Sequence, residues 1–438
     1  MYTFPPLQRQ ELANGLTVLW IPDHEQEGFV VALQLPFGEF CDPTLYEGTV
    51  GITVNLMQKG TAALSSDAFA HKLEQTGAML FAESADEHIV LGCKSLARFS
   101  NDVFELFWDM ICSPRLDEKE FRRIKQEMIT GLQSEITDAN SCVNRHFFSF
   151  LCGKDHPAGR LHTVDSVKRI RLEHVKQCYT GHVAPQGSVL VIAGDIDPDA
   201  LSKRWETKLL SWNTVRSSDG CIGALMPALE KTRIKCIDKA DLTQTYLMVG
   251  HPVTGEFDSR RSAVSLGNYI LGGGNFSSRL MAAVRSDEGK TYGISSQIMR
   301  NRNSGIFVIS TTTQSSQTQD VLNTILTVYR SFAEHGVTAE ELENAKRFAI
   351  GNMAFQLEGI ENIVDKLLWL CLYNRDPSWV EKYDGMINAL SLNEVNEALR
   401  EHLYSPHVCI TAVGDSEIIL PQLSSLGEVT TAHFRDNP

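Results

Sequence analysis

The sequence predicts an α+β protein made of two homologous halves, each a mostly antiparallel sheet with helices on one face. Three observations carry this. Residues 189–195 (VLVIAGD) match 409–415 (CITAVGD) at an offset of 220. Residues 169–175 match 389–395 at the same offset, and 116–125 match 337–346 at 221. Three segments in one order, at about half of 438 residues, indicate a duplicated domain rather than a short-period repeat. The halves are read as 1–210 and 230–438, joined by a linker within 205–232 where Ser217-Ser218-Asp219-Gly220 is turn-rich.

The elements follow from pattern. Asn14-Gly15 is a turn signal before the strand 16–20, and 29–35 is a second strand. Residues 48–56 and 65–75 carry apolar side chains at helical spacing, and 89–93 reads as a strand. Helices follow at 101–111 and 117–134, the latter opened by Asp117, Glu118 and Glu120, which suit a helix N-terminus. The apolar run 189–193 closes the half as a buried strand.

Composition narrows the function. Fifty-four acidic against 40 basic residues give a net charge of −14, which disfavours binding to phosphate backbones. No window approaches the ~18 apolar residues of a membrane span, and residues 1–12 lack the pattern of a secretion signal. The ten cysteines are widely spaced and form no C-x-x-C, so they read as reduced thiols in a reducing compartment. The expected location is the cytoplasm, with the periplasm as the alternative if a leader has been removed.

The second half contains Leu271-Gly272-Gly273-Gly274-Asn275-Phe276-Ser277-Ser278-Arg279-Leu280, then Arg285 and, seven residues on, Tyr292. This segment resembles the C-terminal signature of the pitrilysin–insulinase–mitochondrial processing peptidase family. So do residues 12–16, His156-Pro157-Ala158-Gly159 and the two Gly-Asp strand ends. The resemblance spans the chain. It implies that Arg285 and Tyr292 face an active site in the opposite half or in a partner chain. It also implies a zinc site on an H-x-x-E-H helix just before Lys59-Gly60-Thr61. Counting back, the His, Glu and His positions hold Gly51, Val54 and Asn55, and the third ligand position, near Gly131-Leu132, has no acid. Glycine and valine neither bind zinc nor move protons.

The resemblance therefore implies a zinc-free subunit of a heterodimeric metallopeptidase, not catalytic alone. Arg285 and Tyr292 would complete the site of a homologous zinc-bearing partner that hydrolyses peptides within a clamshell. No cofactor is expected in this chain, and zinc is expected in the partner. A tyrosine hydroxyl is a neutral oxyanion donor and an arginine a fixed cation with several donors. The alternatives are a non-enzymatic scaffold of the same fold, a self-sufficient peptidase with an unrecognised metal site, or a subunit devoted to one peptide. Cys142/His146 and Cys152/His156 have an unusual spacing for a metal site and read as a buried helix and a loop. Glu127 and Glu135 read as salt-bridge partners on a basic helix, and Phe276 as an anchor for the glycine loop.

Overall fold

The computed structural model describes residues 3–217, 221–285 and 291–438, with the side chains of 275, 285, 291 and 292 outside the description. The first sheet has the order β1-β2-β6-β3-β5-β4 and the second β12-β7-β11-β8-β10-β9. The strands are β1 (Gln8–Glu11), β2 (Thr17–Pro22), β3 (Gly28–Leu35), β4 (Met79–Ser84), β5 (Ile89–Leu96) and β6 (Val189–Gly194) in the first. The second has β7 (Arg233–Asp238), β8 (Gln244–Thr254), β9 (Thr291–Arg300), β10 (Ser304–Gln314), β11 (Cys409–Gly414) and β12 (Val429–His433). Five strands correspond one to one. In each sheet the late apolar strand lies parallel to the first long strand, with Pro22 opposite Gly194 and Asp238 opposite Gly414. It lies antiparallel to the next, β6 on β3 and β11 on β8. The α+β expectation with two homologous halves holds.

Alternation on each strand explains the layers. Val31, Leu33, Leu91, Leu190 and Ile192 face one core of the first sheet, together with Phe104, Trp108 and Trp205. Val30, Ala32, Val191 and Ala193 point the other way and are also buried. The second face is covered by the Ile360–Leu372 helix, which packs on β3 and β6. Its Leu368 carbonyl accepts a hydrogen bond from the buried Gln34 amide at 3.2 Å. In the second sheet Leu247, Val249, Phe307 and Ile410 face one core, and Met248, Val308, Cys409 and Val413 face the Ala139–Cys152 helix. A strand buried on both faces needs an uninterrupted apolar run, which 189–193 and 409–413 supply.

These two covering helices reveal how the chain is divided. One compact unit comprises residues 1–131, 162–222 and 353–382, and the other 132–161, 223–352 and 383–438. Each unit takes one helical segment from the opposite sequence half. The exchanged segments, 132–161 and 353–382, differ by 221 at both ends, an offset already present in the repeat. The linker is shorter than the sequence suggests: the Pro198–Leu210 helix contains Trp205, which is 1% exposed and stacks on Phe104 at 3.7 Å. Of the turn-rich break, Ser218, Asp219 and Gly220 lie outside the described residues.

Candidate functional site

Gly51, Val54 and Asn55, the positions that the family resemblance aligns with a zinc motif, lie on the Thr49–Met57 helix. Its sequence, TVGITVNLM, is rich in β-branched residues and contains a glycine, so intrinsic propensity supports it poorly. It is held instead by capping and packing. Asp42 accepts hydrogen bonds from the Gly48 and Val50 N–H groups, each at 2.7 Å. Burial pushes the Asp42 carboxyl up to about 7, against the pull of those two bonds. Thr53 returns its hydroxyl to the Thr49 carbonyl at 2.7 Å.

The three positions carry no metal-binding set. Val54 is 4% exposed and belongs to the apolar core. A Cβ built on Gly51 would lie 3.7 Å from the Met128 methyl, so a thioether borders the place of the first ligand. Asn55 is exposed and turns its amide N–H back onto the Gly51 carbonyl at 2.8 Å, leaving one neutral oxygen. At the third-ligand position Gly131 offers no side chain and Leu132 is buried. Such donors do not fit zinc, which needs three or four nitrogen, sulfur or carboxylate ligands. Among the described residues no group of three or more His, Cys, Asp or Glu side chains is placed to hold a metal ion.

The competing clusters are occupied otherwise. His146 is buried on the Ala139–Cys152 helix, with Nδ1 3.1 Å from Lys235 Nζ. Burial first, then the charges of Lys235 and Arg145, lower its pKa to about 4, so it is a neutral acceptor. His156 Nδ1 accepts from the Ala158 N–H at 3.1 Å, and its Nε2 hydrogen-bonds the Ala224 carbonyl at 2.9 Å. Glu127 pairs with Arg123 at 2.6 Å and Glu135 with Arg145 at 3.3 Å, as expected of salt-bridge partners.

Arg285 ends the Arg279–Arg285 helix and Tyr292 is the second residue of β9. Their side chains and residues 286–290 lie outside the described residues. The described segment leading up to them is held by side-chain bonds. Arg279 makes a two-pronged pair with Glu341, Nε to Oε1 and Nη2 to Oε2 both at 2.7 Å, and also donates to the Gly336 carbonyl at 2.9 Å. Leu280 and Val284 are buried on the same short helix. Upstream, the Arg261–Asn268 helix runs into a wide π turn, Tyr269–Gly273. There Gly272 is required by close approach: a Cβ would stand 2.8 Å from the Ser296 nitrogen and 2.8 Å from Leu280 Cδ1. Ser296 closes the turn by donating to Asn268 Oδ1 at 2.7 Å.

Two features were not read from the sequence. Phe276 is 71% exposed, so burial does not make it the loop anchor; the Tyr269–Phe348 stack at 4.3 Å and the Asn268–Ser296 bond do that. Each unit also has a groove between its edge strand and its exchanged helix. One, of about 150 Å³, is lined by Met79, Phe81, Lys94, Glu361, Val364 and Asp365. The other, of about 340 Å³, includes Asn140, Val143, Met248, Gly293, Ser295 and Ser310. The only sequence signal for them is the offset of 221, which relates Asn140 to Glu361 and Val143 to Val364.

Two six-stranded sheets share five corresponding strands, and a glycine turn in the second leads into the segment of Arg285 and Tyr292. The comparisons agree. The family model described as insulinase (peptidase family M16) matches residues 17–153, and that described as the peptidase M16 inactive domain matches 169–348. The chain belongs to the insulinase/pitrilysin family, and it fits a non-catalytic member. It is 23% identical over 363 residues to the non-peptidase homolog YmxG of Helicobacter pylori, covering 81% of this chain and 82% of that one. It is also 23% identical over 425 residues to mitochondrial-processing peptidase subunit beta of Bos taurus, covering 93% and 84%. The crystal structure of a peptidase M16 inactive domain from Pseudomonas fluorescens superposes with a TM-score of 0.85 at 24% identity, covering 94% and 98%.

Proposed function

We propose that this chain is the zinc-free subunit of a two-chain metallopeptidase, supplying Arg285 and Tyr292 to the active site of a homologous zinc-bearing partner. The observation that carries the reading is an asymmetry of loss. Gly51, Val54 and Asn55 stand at the His, Glu and His positions and Gly131-Leu132 at the third-ligand position, while Arg285 and Tyr292 keep the family spacing. A scaffold has no chemical use for either residue. Zinc-assisted amide hydrolysis does, because charge builds on the carbonyl oxygen and a preorganised donor shares it with the metal. The name of the bovine relative, a processing peptidase subunit, is consistent with action as one chain of several. The reaction is hydrolysis of peptides, the zinc resides in the partner, and the cysteine usage suits the cytoplasm.

Co-expression with a homologue that has an intact H-x-x-E-H motif tests this. The two chains should co-purify, and neither alone should cleave an unfolded peptide that the mixture hydrolyses. Stoichiometric zinc and full activity in this chain alone would overturn the reading. Co-purification without added activity would favour the scaffold.

A further inference from the structure

Of the ten cysteines, Cys41 and Cys221 stand 180 residues apart in sequence yet meet in the first unit. The Cys221 N–H donates to Cys41 Sγ at 3.1 Å, and the two thiols are in hydrogen-bonding contact. That approach limits the separation of the two Cα atoms to about 7 Å, near the upper limit a disulfide spans. Both side chains are half-buried, whereas Cys93, Cys142, Cys178, Cys236 and Cys409 are sealed in the core.

The place is also informative. Cys41 closes the short 3-10 turn Glu39–Cys41 and immediately precedes Asp42, the residue that caps the degenerate motif helix. Cys221 is the penultimate residue of the first unit before the chain passes into the second. The approach to it is tied down by the Arg216 N–H on Gln186 at 3.3 Å and the Ser217 N–H on the Gly181 carbonyl at 3.0 Å.

We propose that Cys41 and Cys221 are a thiol–disulfide exchange site for low-molecular-weight disulfides of the glutathione class. One protein thiolate attacks the small disulfide, giving a mixed disulfide and one released small thiolate. The second protein thiolate then attacks the protein sulfur of that bond, closing Cys41–Cys221 and releasing the other small thiol. The protein loses two thiol protons and two electrons, and one small disulfide becomes two thiols. The product fastens the segment between the halves to the base of the motif helix. Contact with Cys221 first, and burial second, hold the Cys41 thiol above the ordinary cysteine range, so the exchange is slow.

The test is a thiol map of the full chain after prolonged incubation with oxidised glutathione, trapped with an alkylating reagent under denaturing conditions. The expected result is eight alkylated cysteines of ten, with a Cys41–Cys221 cross-linked peptide that dithiothreitol removes. Cys41→Ser and Cys221→Ser should each abolish that peptide. The oxidised wild type should melt a few degrees higher than the reduced protein, since the bond closes a long loop in the unfolded chain. Because the wild-type map is the primary readout, the proposal does not depend on how the variants fold. Ten alkylated cysteines after conditions that oxidise a control dithiol would overturn it. So would a cross-link from Cys41 to Cys178, or glutathione left on Cys221 with Cys41 still free.

Discussion

In the first unit the groove beside edge strand β4 is charged: Lys94 on β5 reaches Glu361 on the exchanged helix at 2.9 Å, and Asp365 lies one turn further on. Burial, reinforced by Glu83 and Glu361, raises the Asp365 pKa. In the second unit the equivalent groove beside β9 is neutral and hydroxyl-lined, with Ser295 and Ser310 oxygens 3.4 Å apart and the Thr311 hydroxyl on the Gly293 carbonyl at 2.8 Å. Both edge pairs are antiparallel, but β9–β10 carries a bulge between Thr311 and Thr313 that β4–β5 lacks, and the lining side chains differ as well. The two units keep corresponding core strands while their groove residues differ.

The same comparison holds at the strand ends, where the largest stability contrast is expected. Gly194 has φ of +123°, and a Cβ there would stand 2.0 Å from the Gly28 carbonyl oxygen. Its counterpart Gly414 would bring a Cβ to 3.1 Å from the side chains of Ile419 and Thr245, a far milder approach than 2.0 Å to backbone. Gly194→Ala should therefore destabilise by about 3 kcal/mol or more, and Gly414→Ala by about 1 kcal/mol. Denaturant midpoints of the two variants measure the gap, and equal losses would break the argument. The aspartates that follow have also diverged. Asp195 pairs with His24 at 2.6 Å, while Asp415 caps the Ser416–Ser424 helix.

A second contrast is readable in pH. Asp258 lies 216 residues after Asp42, the offset that relates β3 to β8. The folded Asp42 has a pKa of about 7, well above an unfolded value of about 3.9, so it holds a proton the unfolded chain releases. Its contribution is favourable below about pH 4 and is lost as pH rises towards 7. Asp258 is opposite. Burial would raise it, but hydrogen bonds from Thr254 and the Arg260 N–H, together with His402, outweigh that and lower it. Its contribution is present above about pH 4 and is lost as pH falls through the folded pKa. Asp42→Asn should flatten the decline in stability between pH 4 and 7, at most about 1.4 kcal/mol per unit. Asp258→Asn should leave that slope and cost stability at pH 7. Melting midpoints at pH 4, 5.5 and 7 decide, and matching profiles would remove the contrast.

The smallest effect belongs to the groove itself. The Lys94–Glu361 pair is largely exposed, so Lys94→Ala should change stability by less than about 1 kcal/mol, with the remaining difference fading in high salt. A larger loss would mean that the charged groove, unlike the hydroxyl-lined one, is part of the core.

How far the sequence reveals this molecule follows from the same division. The apolar runs 189–193 and 409–413 and their offset indicate the duplicated fold, because buried strands leave little choice of residue. That Gly51 and Val54 carry no metal donor is equally legible from their side chains. The exchange of 132–161 and 353–382 was not, because an apolar helix face does not state which sheet it will cover. Nor was the Asp42 cap: an acid six and eight residues before the N–H groups it binds shows no local signature. Phe276 shows the limit in another way, since aromatic character alone does not say how far a ring is exposed.

Whether Arg285 and Tyr292 serve chemistry in a partner's site, as proposed, is tested most directly by Tyr292→Phe. The substitution removes one hydroxyl and little volume, so folding and co-purification with an intact-motif homologue should persist. Peptide hydrolysis by the mixed complex should slow by ~10²–10³, with the loss chiefly in kcat. A mixed complex that works at the wild-type rate with Phe at position 292 would contradict the account.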